Sequence, residues 1–146
     1  MTNHLLSVEE TVAAINAVYP EDEWLELTVL DYSDDCLTVA VCEDLTYYHS
    51  LEISLQEVDF MSVPALWQKK AAGHLLQLLT GTAAREFNIA HRITGGNQLF
   101  SFSNADAVAI IVAAQKITYR VGSVYYYNRE NLLPNERIRL PFKRSV

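Results

Sequence analysis

Apolar residues recur at every second position in three successive stretches of the N-terminal half. Leu25, Leu27 and Val29 alternate with Glu26 and Thr28. Leu37, Val39 and Val41 alternate with Cys36, Thr38, Ala40 and Cys42, and Tyr47, Leu51, Ile53 and Leu55 with Tyr48, Ser50, Glu52 and Ser54. A period of two marks a strand with one face buried. The links between the stretches, Tyr32 to Asp35 and Glu43-Asp44, are short and polar. A parallel neighbour needs a crossover of a dozen residues or more, so strands over 24–30, 36–42 and 47–55 are expected to form an antiparallel meander.

Elsewhere the period changes. Val8, Val12, Ile15 and Tyr19 recur at helical spacing; Ser7 and Glu10 stand at capping-box positions and Pro20 closes the run, which predicts a helix over 8–19. Trp67, Ala71, Leu75, Leu78 and Leu79 share a helical face, with Pro64 at a first turn and Gly81 past the end. A second helix is therefore expected over 64–79, weakened by Gly73 at a cost of ~1 kcal/mol relative to alanine. Thr82 to Phe87 reads as a further short turn, and Val58, Phe60 and Val63 as an extension of the sheet.

Strand patterns return in the second half. Asn88–Ile93 and Gln98–Ser103 flank Thr94-Gly95-Gly96-Asn97, a turn in which glycine supplies positive φ, and so predict a hairpin. Val108–Ala114 is apolar on both faces, as a covered central strand is. Ile117, Tyr119 and Val121 alternate with polar residues, Val124–Tyr127 follows, 128–136 is a loop, and 137–146 is an edge strand or a loosely held basic tail. The fold class expected is α+β, mainly antiparallel, in a single domain over residues 1–146.

Composition narrows the class. Half of the 146 residues are hydrophobic and a fifth are charged, which is globular rather than disordered composition. No apolar run approaches the ~20 residues that cross a bilayer, Ala107–Ala114 being the longest, and the start of the chain lacks a signal-peptide core. A cytoplasmic, membrane-free protein is expected. Cys36 and Cys42 fall on one strand, about 20 Å apart at ~3.3 Å per residue, too far to bond to each other.

Catalytic and cofactor signatures are missing. The chain has no nucleophile elbow, phosphate loop or dinucleotide turn, and His4, His49, His74 and His91 follow no metal-ligand spacing, so no cofactor or metal is expected. Asp31, Asp34 and Asp35 lack the ligand spacing and glycine of a calcium loop. The aromatic triplets Tyr47-Tyr48-His49 and Tyr125-Tyr126-Tyr127 suit sheet packing, with some rings in the core and others outward. An outward pair would suit anchoring a partner, since tyrosine is enriched at interface hot spots.

Charge is the uneven feature. Residues 1–60 carry 14 Asp and Glu and no Lys or Arg, whereas residues 61–146 carry 4 acids and all 11 bases; −14 and +7 give the net −7. Such asymmetry points to interaction. A meander running up, down and up sends Glu21, Asp22, Glu23, Glu43 and Asp44 to one end of the sheet, and Asp31, Asp34, Asp35, Glu57 and Asp59 to the other. Either Lys69, Lys70, Arg92 and Arg120 fold back into scattered surface pairs worth ~0–1 kcal/mol each, or the excess faces a partner. The function expected is a non-catalytic binding module, of the kind immunity and antitoxin inhibitors represent, that docks a basic protein. Its partner-binding candidates are Asp31, Asp34, Asp35, Glu43, Asp44, Glu57, Asp59 and Tyr48.

Two further possibilities follow from the residues. A small-molecule protein or enzyme would use a pocket between helix and sheet, with His49, His91, Tyr47 and Asp59 as its first acid–base candidates. The basic half, with Arg120, Arg129, Arg137, Arg139, Lys143 and Arg144, would meet RNA or the acidic half of a second copy in a homo-oligomer. The net −7 works against nucleic acid.

Overall fold

A computed structural model describes residues 6–106 and 108–140. It contains α1 (Val8–Asn16), β1 (Leu25–Ser33), β2 (Cys36–Cys42), β3 (Tyr48–Ser62), β4 (Leu66–Lys69), β5 (Leu76–Leu79), α2 (Gly81–His91), β6 (Gln98–Phe102), β7 (Ile110–Tyr125) and β8 (Arg137–Ile138). The strands form one sheet in the order β4-β1-β2-β3-β7-β6-β5, every neighbour antiparallel, with β8 added in parallel to the C-terminal end of β7. The sheet curls until its ends approach: the Ala105 N–H, just past β6, donates to the Gln68 carbonyl of β4 at 2.7 Å. The product is one small domain, an antiparallel curled sheet with two helices.

The three N-terminal stretches pair as neighbouring antiparallel strands, with Val29 opposite Val39 and Val39 opposite Ile53. Their alternate residues Leu25, Leu27, Leu37, Val39, Val41, Leu51, Ile53 and Leu55 line the inside of the curl. Val12 and Ile15 of α1, Trp67, Phe100, Phe102 and Val112 complete that core. At ~1.5–3 kcal/mol for each fully buried large apolar side chain, this cluster is the main stabilising term. α1 has the capping box, with Ser7 Oγ accepting from Glu10 N–H and Glu10 accepting from Ser7 N–H, both at 3.1 Å. Its last helical residue is Asn16, three short of the expected end, while Tyr19 packs on the core.

Residues 64–79 are two strands, not a helix. Burial alternates over Leu66, Trp67, Gln68 and Lys69, the two odd positions being inside. Gly73 sits at φ 104°, a conformation outside any helix interior, and Gly81 begins α2 instead of ending a helix. Residues 88–91, expected in a strand, belong to α2, whose end is set by Arg92 at φ 52°. β6 lies between β5 and β7, and its expected hairpin partner at 88–91 is helical, so the hairpin expected around 94–97 is not formed. Ala84, Phe87 and Phe60 pack with Leu99, Ile93, Ile111 and Ala113 in a second cluster between α2 and the outer face of the sheet. β7 is consequently covered on both faces at Ile110–Ala114. Val108 lies outside the strand and Ala107 outside the described residues.

Candidate functional site

The eight partner-binding candidates fall into three places. Asp34 and Asp35 form a two-residue hairpin between β1 and β2, with Ser33 paired to Cys36 and φ of 52° and 58°. Those dihedrals belong to a turn whose twist matches the strands, and they favour Asn-Gly. Asp31 lies just before the turn and accepts from Ser33 Oγ at 3.1 Å. Glu57 reaches the same end because the Asp35 carbonyl accepts from Val58 N–H at 2.9 Å; it stands 4.0 Å from Lys116 Nζ. Asp59 is instead a structural group. One of its oxygens accepts from Thr94 N–H at 3.0 Å and Asn97 Nδ2 at 3.2 Å, tying β3 to the 94–97 turn.

Glu43, Asp44 and Tyr48 occupy the opposite end of β2, about 20 Å away at ~3.3 Å per residue. Both carboxylates are exposed. Asp44 accepts from the hydroxyl and backbone N–H of Thr46, which together hold it below the usual carboxylate range. Tyr48 is pushed above its ordinary value first by the Cys42 sulfur, with Glu43 and Tyr125 adding to it. Cys36 and Cys42 are both free thiols on β2.

Tyr48 belongs to a ladder. It stands opposite Tyr125 of β7 with ring centroids 6.1 Å apart, and Tyr47 meets Tyr127 edge-on at 6.4 Å. Tyr125 and Tyr127 touch at 5.7 Å. The Arg129 guanidinium lies over the Tyr125 ring, 4.2 Å from its centroid, and the Tyr125 hydroxyl donates to Glu136. Tyr47 is 66 % exposed, Tyr48 36 % and Tyr127 42 %. With Ser123 and Arg129 these tyrosines line an open cleft of about 730 Å³.

The remaining residue of each triplet, His49 in one and Tyr126 in the other, points inward. His49 is fully buried; its Nδ1 is 2.6 Å from the Tyr126 hydroxyl, and its Nε2 faces Glu52 Oε1 at 3.4 Å, outside hydrogen-bond alignment. A carboxylate facing Nε2 favours the tautomer protonated there, so Nδ1 accepts from Tyr126. Burial pushes the Tyr126 hydroxyl up to about 12. Glu52 also receives Arg137 of β8; the His49 ring first, and then Arg137, hold its carboxyl at about 2 against the opposing effect of burial. This chain of four groups pins the C-terminal segment over the sheet. It offers no exposed imidazole to a substrate.

The other acid–base candidates lie elsewhere. Tyr47 is in the ladder, Asp59 in the turn, and His91, exposed at the C-terminal end of α2, packs its ring against Phe87 and Phe60. No hydrogen bond or ion pair joins His49, His91, Tyr47 and Asp59 to one another among the described residues. Two further clefts are lined by Glu26, Thr28, Leu66, Tyr126 and Arg139, about 480 Å³, and by residues of α1 and β5, about 750 Å³. No group of three His, Cys, Asp or Glu suited to a metal ion occurs among the described residues, and none of their helices is long and apolar enough to cross a membrane.

Charge compensation differs from the scattered pairs weighed above. Lys69, 1 % exposed, donates to the carbonyls of Glu21, Glu23 and Lys70 at 2.8–3.0 Å instead of meeting carboxylates. Burial lowers its pKa, opposed by the charges of Glu21, Asp22 and Glu23. Among the described residues, the Lys and Arg ion pairs are Lys116–Glu57 and Arg137–Glu52. Asp31, Asp34, Asp35, Glu43 and Asp44 form none with the described residues. Residues 141–146, with Lys143 and Arg144, lie outside the described residues.

The ladder and the Glu52 contacts were beyond sequence reasoning, which had no means of pairing Tyr48 with Tyr125 across 77 residues. One local signal for α2 was available: Ala84, Phe87 and His91 stand at helical spacing. No family model, curated protein or solved structure matches this chain.

Proposed function

We propose that this chain is a protein-binding module, of the kind immunity and antitoxin inhibitors represent, which docks a basic protein on the tyrosine ladder and the neighbouring Glu43 and Asp44. The observation that carries the proposal is the ladder itself: exposed tyrosines in mutual contact, with one arginine already stacked on Tyr125. A ring that holds Arg129 offers the same cation–π attraction, ~0.5–2 kcal/mol, to an arginine or lysine arriving from outside. Tyrosines anchor such interfaces, and unpaired carboxylates at their rim steer basic partners and reject acidic ones.

An ordinary interface covers about 800 Å² on each partner, a patch roughly 30 Å across. Centred on the ladder, such a patch reaches ~15 Å, which takes in Glu43 and Asp44 but stops short of the turn bearing Asp31, Asp34 and Asp35, ~20 Å along β2. Those three carboxylates act on a basic partner through their field and not by contact. Glu57 stands 4.0 Å from Lys116 and Asp59 is engaged in its turn; both have secondary parts in this proposal.

The test is capture from a lysate of the source cells by immobilised wild type and by two variants, Tyr47→Ala/Tyr127→Ala and Glu43→Lys/Asp44→Lys. A captured protein is then purified and titrated against all three. The expected partner is basic, binds at least tenfold more weakly to each variant, and is released by salt. Binding that neither variant weakens would refute the assignment, as would an acidic partner.

A further inference from the structure

The last strand of the sheet, β5, has an open edge whose hydrogen-bonding direction is fixed by its neighbours. On the β6 side, the Leu75 carbonyl just before the strand accepts from Ser103 N–H at 3.0 Å. On the other side, the Asn16 side chain of α1 bonds both groups of Leu76, donating to its carbonyl at 2.8 Å and accepting from its N–H at 3.0 Å. Backbone groups along a strand alternate in direction, and the β5–β6 register is regular from Leu76–Phe102 to Leu79–Leu99. Leu75 and Gln77 therefore face β6, while Leu76 and Leu78 face away from it.

Asn16 stands where a peptide group of a further strand would stand, because a carboxamide reproduces one peptide unit. One step along, the Leu78 N–H and carbonyl have no such partner among the described residues. Thr80 continues the extended conformation at φ −134° and ψ 170°. An unpaired edge of this kind is a template for strand addition.

The space beside the edge is already open. A cleft of about 750 Å³ separates α1 from β5, with Val12, Ala13 and Leu78 among its walls. Its acidic residues are Glu9 and Glu21, and His74 Nδ1 lies 3.2 Å from Glu21. Among the described residues, no lysine or arginine lines it. The apolar walls suit alternate side chains of an extended segment, and the carboxylates select for a basic one.

We propose that the β5 edge and its cleft receive an extended basic peptide segment by strand addition, with the incoming backbone pairing with Leu78 and stopping at Asn16. This site shares no residue with the tyrosine ladder, and its existence does not rest on the function proposed above.

The experiment follows backbone amide exchange by NMR in the full chain, with an end-capped octapeptide alternating lysine and valine as the probe. A peptide of the same design with glutamate in place of lysine is the comparison. The expected result is at least tenfold protection of the Leu78 amide by the lysine peptide alone. Affinity should fall at least tenfold in Glu9→Lys/Glu21→Lys and be unchanged in Tyr47→Ala/Tyr127→Ala. No protection at Leu78, or equal protection by both peptides, overturns the proposal. Loss of binding in the tyrosine variant would assign the peptide to the ladder, and protection rising with protein concentration alone would assign the edge to a second copy; either result overturns it too.

Discussion

Glu52 shows how much a single side chain does in this molecule. Its carboxylate lies between the buried His49 ring and Arg137, which joins β3 to the C-terminal segment. The carboxyl is held at about 2, well below its ordinary 4.5. A depressed folded-state value means that the ionised form stabilises the fold. That contribution is complete above the ordinary value and disappears as pH falls from ~5 toward ~2. A shift of this size corresponds to ~2 kcal/mol after allowance for partial solvent contact. Glu52→Gln should therefore lower stability by ~2 kcal/mol at pH 7 and by little at pH 2.5, as urea unfolding at the two pH values would measure. Equal losses at both pH values would assign the effect to packing.

At the scale of elements, the β1–β2 hairpin is the place where local preference and charge conflict. Asp34 and Asp35 both take positive φ in a two-residue turn, where Asn-Gly meets the dihedral requirement better and does not set two carboxylates side by side. Asp34→Asn/Asp35→Gly should raise stability by ~1 kcal/mol, seen as a rise of ~3 °C in the thermal midpoint. An unchanged or lower midpoint would show that the carboxylates have a stabilising contact in the native state. Gly122 is the converse case, where only glycine fits. A Cβ there would stand 2.5 Å from the Asn135 carbonyl oxygen, at φ 153°, because the 128–136 loop lies against β7 at that point. The meander was legible from period-two alternation, since each of its strands has one wet and one dry face. The strands at 66–69 and 76–79 were not. Each is four residues long, and Trp67, Ala71, Leu75 and Leu78 also satisfy a helical period.

Across the whole molecule, charge is sorted while structure is mixed. The acidic first sixty residues and the basic remainder fold into one sheet, β3 against β7, and the ion pairs at Glu52 and Glu57 join the two parts. Five of the carboxylates, Asp31, Asp34, Asp35, Glu43 and Asp44, stand near the ends of β2 and face water. The association rate of a basic partner should then fall by at least tenfold between 20 and 200 mM salt, because the field steering it is screened within ~10 Å at 0.1 M. Stopped-flow mixing with the captured partner measures this directly, and a rate insensitive to salt would mean that the carboxylates take no part in encounter.

Sequence alone determined the capped first helix, the antiparallel meander and the −14/+7 division of charge, because each follows from neighbours within a few residues or from a count. Tertiary structure decided which strand borders which. Tyr48 meets Tyr125, His49 meets Tyr126, and Asn16 closes part of the β5 edge only because the sheet curls and brings distant segments together. Long-range pairing is set by the packing of the whole core, and no local period encodes it.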